Sequence, residues 1–220
     1  MNLKLKICGM REPENIDQVA GLHPDYLGLI FFERSPRFVK NDIQELDPAI
    51  RKTGVFVNAS EEDILERTLK YDLKAIQLHG DESMEFCLDL KKKLSAAGMD
   101  PELIKVFSIK DVFDFSILKD FENTVDLFLF DTKGRNKGGN GITFNWEVLK
   151  DYPSSTPFFL SGGIGLEEIP EIKTLYTYFQ KENKQDLFYG IDINSRFETS
   201  PGLKDTEKLR TFRKALFSEA

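Results

Sequence analysis

The chain has 220 residues, 40% of them hydrophobic and 30% charged, with a net charge of −7, so it can bury a full core of the size that one α/β barrel domain commonly has. The acidic balance argues against a nucleic-acid surface, which shows a basic field, and leaves a small anionic substrate open. No stretch nears the roughly 18 apolar residues of a membrane span, the start MNLKLKICGM lacks the apolar run of a signal peptide, and two cysteines suit a reducing cytoplasm better than a disulfide framework.

Short apolar segments recur about every 20 to 30 residues, as repeated strand–helix units require. In chain order the expected strands are LKLKI from Leu3, YLGLIFF from Tyr26, GVFV from Gly54, AIQL from Ala75, LIKVF from Leu103, VDLFLF from Val125, FFL from Phe158 and LFYGI from Leu187. The segments between them read as helices: EPENIDQVAGL, EEDILERTLKY, SMEFCLDLKKKLSAAG, DVFDFSILKDF, FNWEVLKDY, LEEIPEIKTLYTYFQ and DTEKLRTFRKALF. The stretch from Pro36 to Ile50 carries the weakest helical pattern. Eight strands alternating with helices fit a closed (β/α)8 TIM barrel, and with no low-complexity linker or composition shift, residues 1–220 are expected to form a single domain.

Strand side chains point alternately to the two faces of a sheet. In the first strand Leu3, Leu5 and Ile7 oppose Lys4, Lys6 and Cys8; in the fourth, Ile76 and Leu78 oppose Gln77 and His79; in the eighth, Ile191 and Ile193 oppose Asp192 and Asn194. The apolar faces are expected to meet the helices and the polar faces the bore, so that Cys8, His79, Asp131 and Asp192 converge at one mouth.

Asp131 ends the apolar run VDLFLF and precedes a loop with four glycines. The C-terminal ends of strands are where parallel α/β folds keep their chemistry, which makes Asp131 a catalytic candidate; a helix cap is the alternative. The loop lacks the terminal G-K-[ST] of a phosphate-binding P-loop and suits close approach to a ligand instead. Cys8 is either a small buried hydrophobe or a functional thiol, and its strand face, shared with Lys6, favours the second. Cys87 sits at helical spacing with Phe86, Leu90 and Leu94 and reads as packing. Gly162 and Gly163 after the seventh strand, with Asn194 and Ser195 after the eighth, occupy the places where such barrels often bind phosphate. Arg37 in SPRFV is a surface arginine or a carboxylate clamp. His79 is a base or a hydrogen-bonded positioning group, and Gln77 shares its face. No His/Cys/Asp cluster has metal-ligand spacing.

Taken together, KICGM, GLIFFERSPRFV, GVFVN, IQLHGDE, FLFDTKG with GGNGITFNW, LSGGIG and GIDINSRFETSPGLKD resemble the phosphoribosylanthranilate isomerase family of tryptophan biosynthesis, in order and across nearly the whole chain. The resemblance implies a TIM barrel that converts N-(5-phosphoribosyl)anthranilate to 1-(2-carboxyphenylamino)-1-deoxyribulose 5-phosphate by an Amadori rearrangement, without cofactor or metal, as a cytoplasmic monomer or homodimer. It further implies Cys8 as general base, Asp131 as general acid and Arg37 as holder of the anthranilate carboxylate. The phosphate would lie on backbone amides around Gly162, Gly163, Asn194 and Ser195, with Asp192 as a substrate-positioning group. Two positions depart from the family pattern: Asn140 stands where serine or threonine is expected, and Arg196 where glycine follows the serine, a concern if that position needs positive φ.

In the implied reaction protonated Asp131 donates to the furanose ring oxygen, the ring opens to an iminium, and thiolate Cys8 removes the C2′ proton. A free cysteine of pKa about 8.5 is only a few per cent thiolate at neutral pH, so Cys8 needs help from a neighbour such as Lys6, which alternatively pairs with Asp192. The related histidine-pathway isomerase uses an aspartate where this chain has Cys8, which favours the anthranilate substrate. A non-catalytic phosphosugar-binding barrel would not need both Cys8 and Asp131.

Overall fold

The computed structural model describes residues 1–109, 112–132 and 146–217. Eight parallel strands close a barrel in chain order: β1 (Lys4–Met10), β2 (Tyr26–Ile30), β3 (Arg51–Phe56), β4 (Ala75–Leu78), β5 (Glu102–Ile109), β6 (Leu127–Thr132), β7 (Phe158–Ser161) and β8 (Phe188–Ile193). Closure is made by β8 on β1, with Lys6 opposite Asp192. Five α-helices among the described residues pack outside: α1 (Pro13–Ala20), α2 (Glu61–Tyr71), α3 (Met84–Ala96), α4 (Ile169–Lys181) and α5 (Thr206–Phe217). Local sequence starts them. Ser60 accepts the Asp63 N–H at 3.2 Å to cap α2, Ser83 accepts that of Phe86 at 3.3 Å to cap α3, and Pro13 opens α1 where its missing N–H costs nothing.

Alternation divides the core in two. Outward side chains such as Ile7, Leu29, Phe56, Leu78, Phe130, Leu160 and Ile193 join the shell under the helices. A second cluster, Tyr26, Ala75, Ile104, Val106, Leu127, Leu129 and Phe159, fills the bore. Lys6, Thr53 and Gln77 are buried on the same inward faces, as expected for β1 and β4. β8 carries a bulge between the Phe158–Phe188 and Phe159–Gly190 pairings, and the Tyr189 ring lies edge-on to Phe159 at 5.2 Å.

Among the described residues two expected helices are absent. The described part of DVFDFSILKDF forms only a 3-10 turn at Phe115–Leu118, and that of FNWEVLKDY only another at Trp146–Asp151. The first segment places Phe113 and Phe115 two residues apart, and both pack on Phe130, at 5.8 and 6.4 Å, a spacing that helical periodicity does not provide. Asp114 accepts the Ser116 N–H at 2.9 Å and tightens the turn. The resulting aromatic wall covers β5 to β7 in place of helices, and each fully buried phenylalanine in it, such as Phe128, Phe130 and Phe158, contributes roughly 1.5–3 kcal/mol. The stretch from Pro36 to Ile50 has no helix. The first two residues of FNWEVLKDY, Phe144 and Asn145, lie outside the described residues. Beyond β8 a hairpin of β9 (Glu198–Ser200) and β10 (Leu203–Lys204) was not anticipated.

Candidate active site

A cavity of about 270 Å³ opens at the C-terminal ends of the strands, and nine of the ten candidate side chains and glycines line it: Cys8, Gln77, His79, Asp131, Gly162, Gly163, Asp192, Asn194 and Ser195. Arg37 is beside the cavity without lining it. Among the described residues, no group of three or more His, Cys, Asp and Glu is arranged to hold a metal ion.

Cys8 is 4% exposed and sits where β2 passes close by. A Cβ at Gly28 would lie 2.7 Å from its sulfur, so only glycine leaves room for the thiol there. Gly9, with φ +75°, turns the chain away directly after it; a Cβ there would meet Asn194 Oδ1 at 2.6 Å and Arg37 Cδ at 2.7 Å. Burial pushes the Cys8 thiol up, against the opposing pull of Lys6, so the sequence expectation that a neighbouring lysine favours the thiolate is outweighed by desolvation. Lys6 is fully buried and donates to Asp192 Oδ1 at 2.9 Å. Burial disfavours its charge, but the paired Asp192 carboxylate opposes this and keeps it an ammonium. The other Asp192 oxygen accepts from Ser161 Oγ at 3.3 Å.

On the far wall His79 Nε2 lies 3.5 Å from Asp131 Oδ2. Gln77 Nε2 sits 3.0 Å from His79 Nδ1. An amide nitrogen only donates, so Nδ1 accepts and Nε2 carries the hydrogen that faces Asp131. Gln77 Oε1 is then a buried acceptor with no partner, the single such side-chain atom among the described residues. Turning the amide over would reverse the His79 tautomer and make Nε2 an acceptor towards Asp131.

At the opposite end Gly162 and Gly163 hold φ of +96° and +70°. Arg196 has no positive φ, so the side chain there carries no strain; it lines the cavity and its carbonyl accepts from Lys208 Nζ at 2.7 Å. Asn140 lies outside the described residues. Arg37 is taken up by Glu198: Nε lies 2.9 and 3.1 Å from its two oxygens and Nη2 2.5 Å from Oε2. Sequence reasoning missed Glu198 and its second partner Lys204, and also Ser161, Ile30 and Val55, which line the cavity. Parity would have found Ser161, two residues after the bore-facing Phe159. Cys87 is fully buried on the inner face of α3, as its spacing implied.

A family model described as N-(5'phosphoribosyl)anthranilate (PRA) isomerase matches residues 5–215. A chain from Parabacteroides distasonis named N-(5'-phosphoribosyl)anthranilate isomerase is 43% identical over 216 residues, covering 94% of this chain and 90% of that one. One of the same name from Phocaeicola vulgatus is 43% identical over 208 residues, covering 94% and 95%. The crystal structure of phosphoribosyl anthranilate isomerase from Thermus thermophilus is similar in fold, with TM-score 0.75 at 24% identity over 97% of this chain and 98% of that chain.

Proposed function

The chain belongs to the N-(5'-phosphoribosyl)anthranilate isomerase family, and from that membership we propose that Cys8 is the general base and Asp131 the general acid of its reaction. The enzyme isomerises N-(5'-phosphoribosyl)anthranilate in tryptophan biosynthesis. The observation that supports the two assignments is that Cys8 on β1 and Asp131 on β6 line one cavity from separate strands, so a single phosphosugar can touch both.

Asp131, protonated, gives its proton to the furanose oxygen as the C1′–O4′ bond breaks and the lone pair of the anthranilate amine nitrogen forms an iminium with C1′. The iminium acidifies the C2′ hydrogen, Cys8 thiolate takes it, and the enolamine tautomerises to the aminoketose. Gln77 and His79 serve the acid: with the Gln77 amide turned, His79 Nε2 accepts the Asp131 O–H, and with the amide as it stands it donates to the carboxylate left behind. Asp192, anchored by Lys6, positions the sugar. The amides at Gly162, Gly163, Asn194 and Ser195 hold the phosphate, which the positive φ of both glycines supports by exposing the turn backbone. Arg37 meets the anthranilate carboxylate. Residues 1–220 act as one domain, as a monomer or homodimer. The two cysteines, both buried and unpaired, fit a cytoplasmic setting.

Single replacement of Cys8 by serine and Asp131 by asparagine, followed through loss of anthranilate fluorescence, tests the pair. Each should lower kcat by about 100-fold or more. Near-full turnover by either variant refutes its assigned role.

A further inference from the structure

Arg37 is joined at the barrel mouth to Glu198 and, through it, to Lys204, two groups that the chemistry above leaves unused. Glu198 opens β9 and Lys204 ends β10, so the hairpin sets their separation. Their side chains are 4% and 0% exposed. Lys204 Nζ has an acceptor for each of its three N–H groups: Glu198 Oε1 at 2.8 Å, Asn194 Oδ1 at 2.8 Å and the Asn194 carbonyl at 3.3 Å. Asn15 of α1 pins the Lys204 backbone from both sides, accepting its N–H at 2.7 Å and donating to its carbonyl at 3.0 Å. Glu198 also accepts the Gly202 N–H at 3.2 Å. The carboxylate is therefore immobile before it meets Arg37.

That immobility has a stereochemical consequence for the arginine. A guanidinium carries five N–H donors in one rigid plane. The Nε hydrogen and one Nη2 hydrogen face Glu198, which leaves one paired edge, the second Nη2 hydrogen with one on Nη1, while the other Nη1 hydrogen points back beside the stem. The aliphatic stem is fixed as well, because it lies over Gly9, the residue after Cys8. Two cations and one anion leave the triad with a single net positive charge, enough to attract a carboxylate without two cations repelling each other across the mouth.

We propose that Glu198, locked in place by Lys204, is a positioning residue that fixes which edge of Arg37 meets the substrate's ring carboxylate, and so sets the enzyme's preference for a carboxylated aryl amine. The inference rests on the assignment of Arg37 made above. Glu198 touches no reacting atom; it removes the rotational freedom that the arginine would otherwise lose on binding.

Two inhibitors test it on the full chain by calorimetry: the borohydride-reduced product, and its counterpart with hydrogen in place of the ring carboxylate. In Glu198→Gln the carboxylated compound should bind about tenfold more weakly, the worth of one charge-assisted hydrogen bond, while the carboxylate-free compound keeps its affinity. Steady-state kinetics should show the same loss in KM rather than in kcat. Glu198→Gln is isosteric, so it carries the test if Glu198→Ala does not fold. Equal weakening of both compounds, no change, or tighter binding of the carboxylated one overturns the proposal. Arg37→Ala separates the two levels. If it erases the preference and Glu198→Gln does not, only the positioning role fails; if it leaves the preference intact, the Arg37 assignment fails and the proposal with it.

Discussion

Cys8 lies among three cations and one carboxylate, and burial still keeps it a thiol. Lys6 beneath it, Lys204 from the hairpin and Arg37 after β2 all favour the thiolate, whereas Asp192 and desolvation oppose it, and desolvation is the largest of these. A reaction that needs only the Cys8 thiolate proceeds in proportion to its thiolate fraction. The sign follows directly: for an acid whose pKa is raised, the active form accumulates only as pH climbs past the ordinary cysteine value of about 8.5. Thus alkylation of Cys8 by iodoacetamide in the free enzyme, which needs the thiolate alone, should keep speeding up tenfold per pH unit through neutrality and show no plateau below about pH 8.5. A pH–rate profile between neutrality and the onset of alkaline unfolding checks this, and a plateau near pH 7 would contradict the burial argument. The sequence placed Cys8, Lys6 and Asp192 on inward faces through simple alternation. It could not rank desolvation against three cations, because that depends on how closely β2 approaches at Gly28.

The elements were legible to very different degrees. All eight strands of the barrel could be read because each carries an apolar run bounded by turn residues, and the capped helices α2 and α3 because Ser60 and Ser83 begin them. The hairpin β9–β10 was not legible, since strands of three and two residues are too short for any alternation and only Pro201–Gly202 marked its turn. Consequently the partner of Arg37 could not be foreseen. A second loop device was equally hidden. Glu82, after β4, accepts the Asn58 N–H at 2.9 Å and the Gly80 N–H at 2.9 Å, and Lys105 of β5 reaches Glu82 at 3.1 Å and the Gly80 carbonyl at 2.8 Å. Both side chains are almost wholly buried, so this pair ties the loops after β3 and β4 to β5 directly behind His79. Lys105→Met removes one partner of a buried pair and strands the other, and should lower stability by about 3–5 kcal/mol in urea unfolding. A loss under about 1 kcal/mol would mean the loops are held by the backbone alone.

At the scale of the whole molecule the barrel has two polar ends separated by an apolar plug. The bore-filling layer of Ala75, Ile104, Val106, Leu127, Leu129 and Phe159 lies between the catalytic mouth and a network at the other end. There Tyr26 Oη donates to Glu102 at 2.8 Å, lies 2.8 Å from Tyr189 Oη, and accepts from Arg51 at 2.5 Å. Burial pushes the Tyr26 hydroxyl far up, so it remains a neutral donor at every accessible pH. Lys4 and Asp25 extend the same end with a pair at 2.8 Å. If the plug isolates the two ends, stability and catalysis should separate by position in the barrel. Tyr26→Phe takes away one hydroxyl of a satisfied network and should cost about 1–2 kcal/mol, seen as a fall in Tm of roughly 2–8 °C for a domain of this size. Its kcat/KM should stay within twofold of the parent, about 0.4 kcal/mol on the scale where tenfold is 1.4 kcal/mol. A variant that lost activity in step with Tm, measured well below its unfolding range, would show that the apolar layer transmits strain rather than absorbing it.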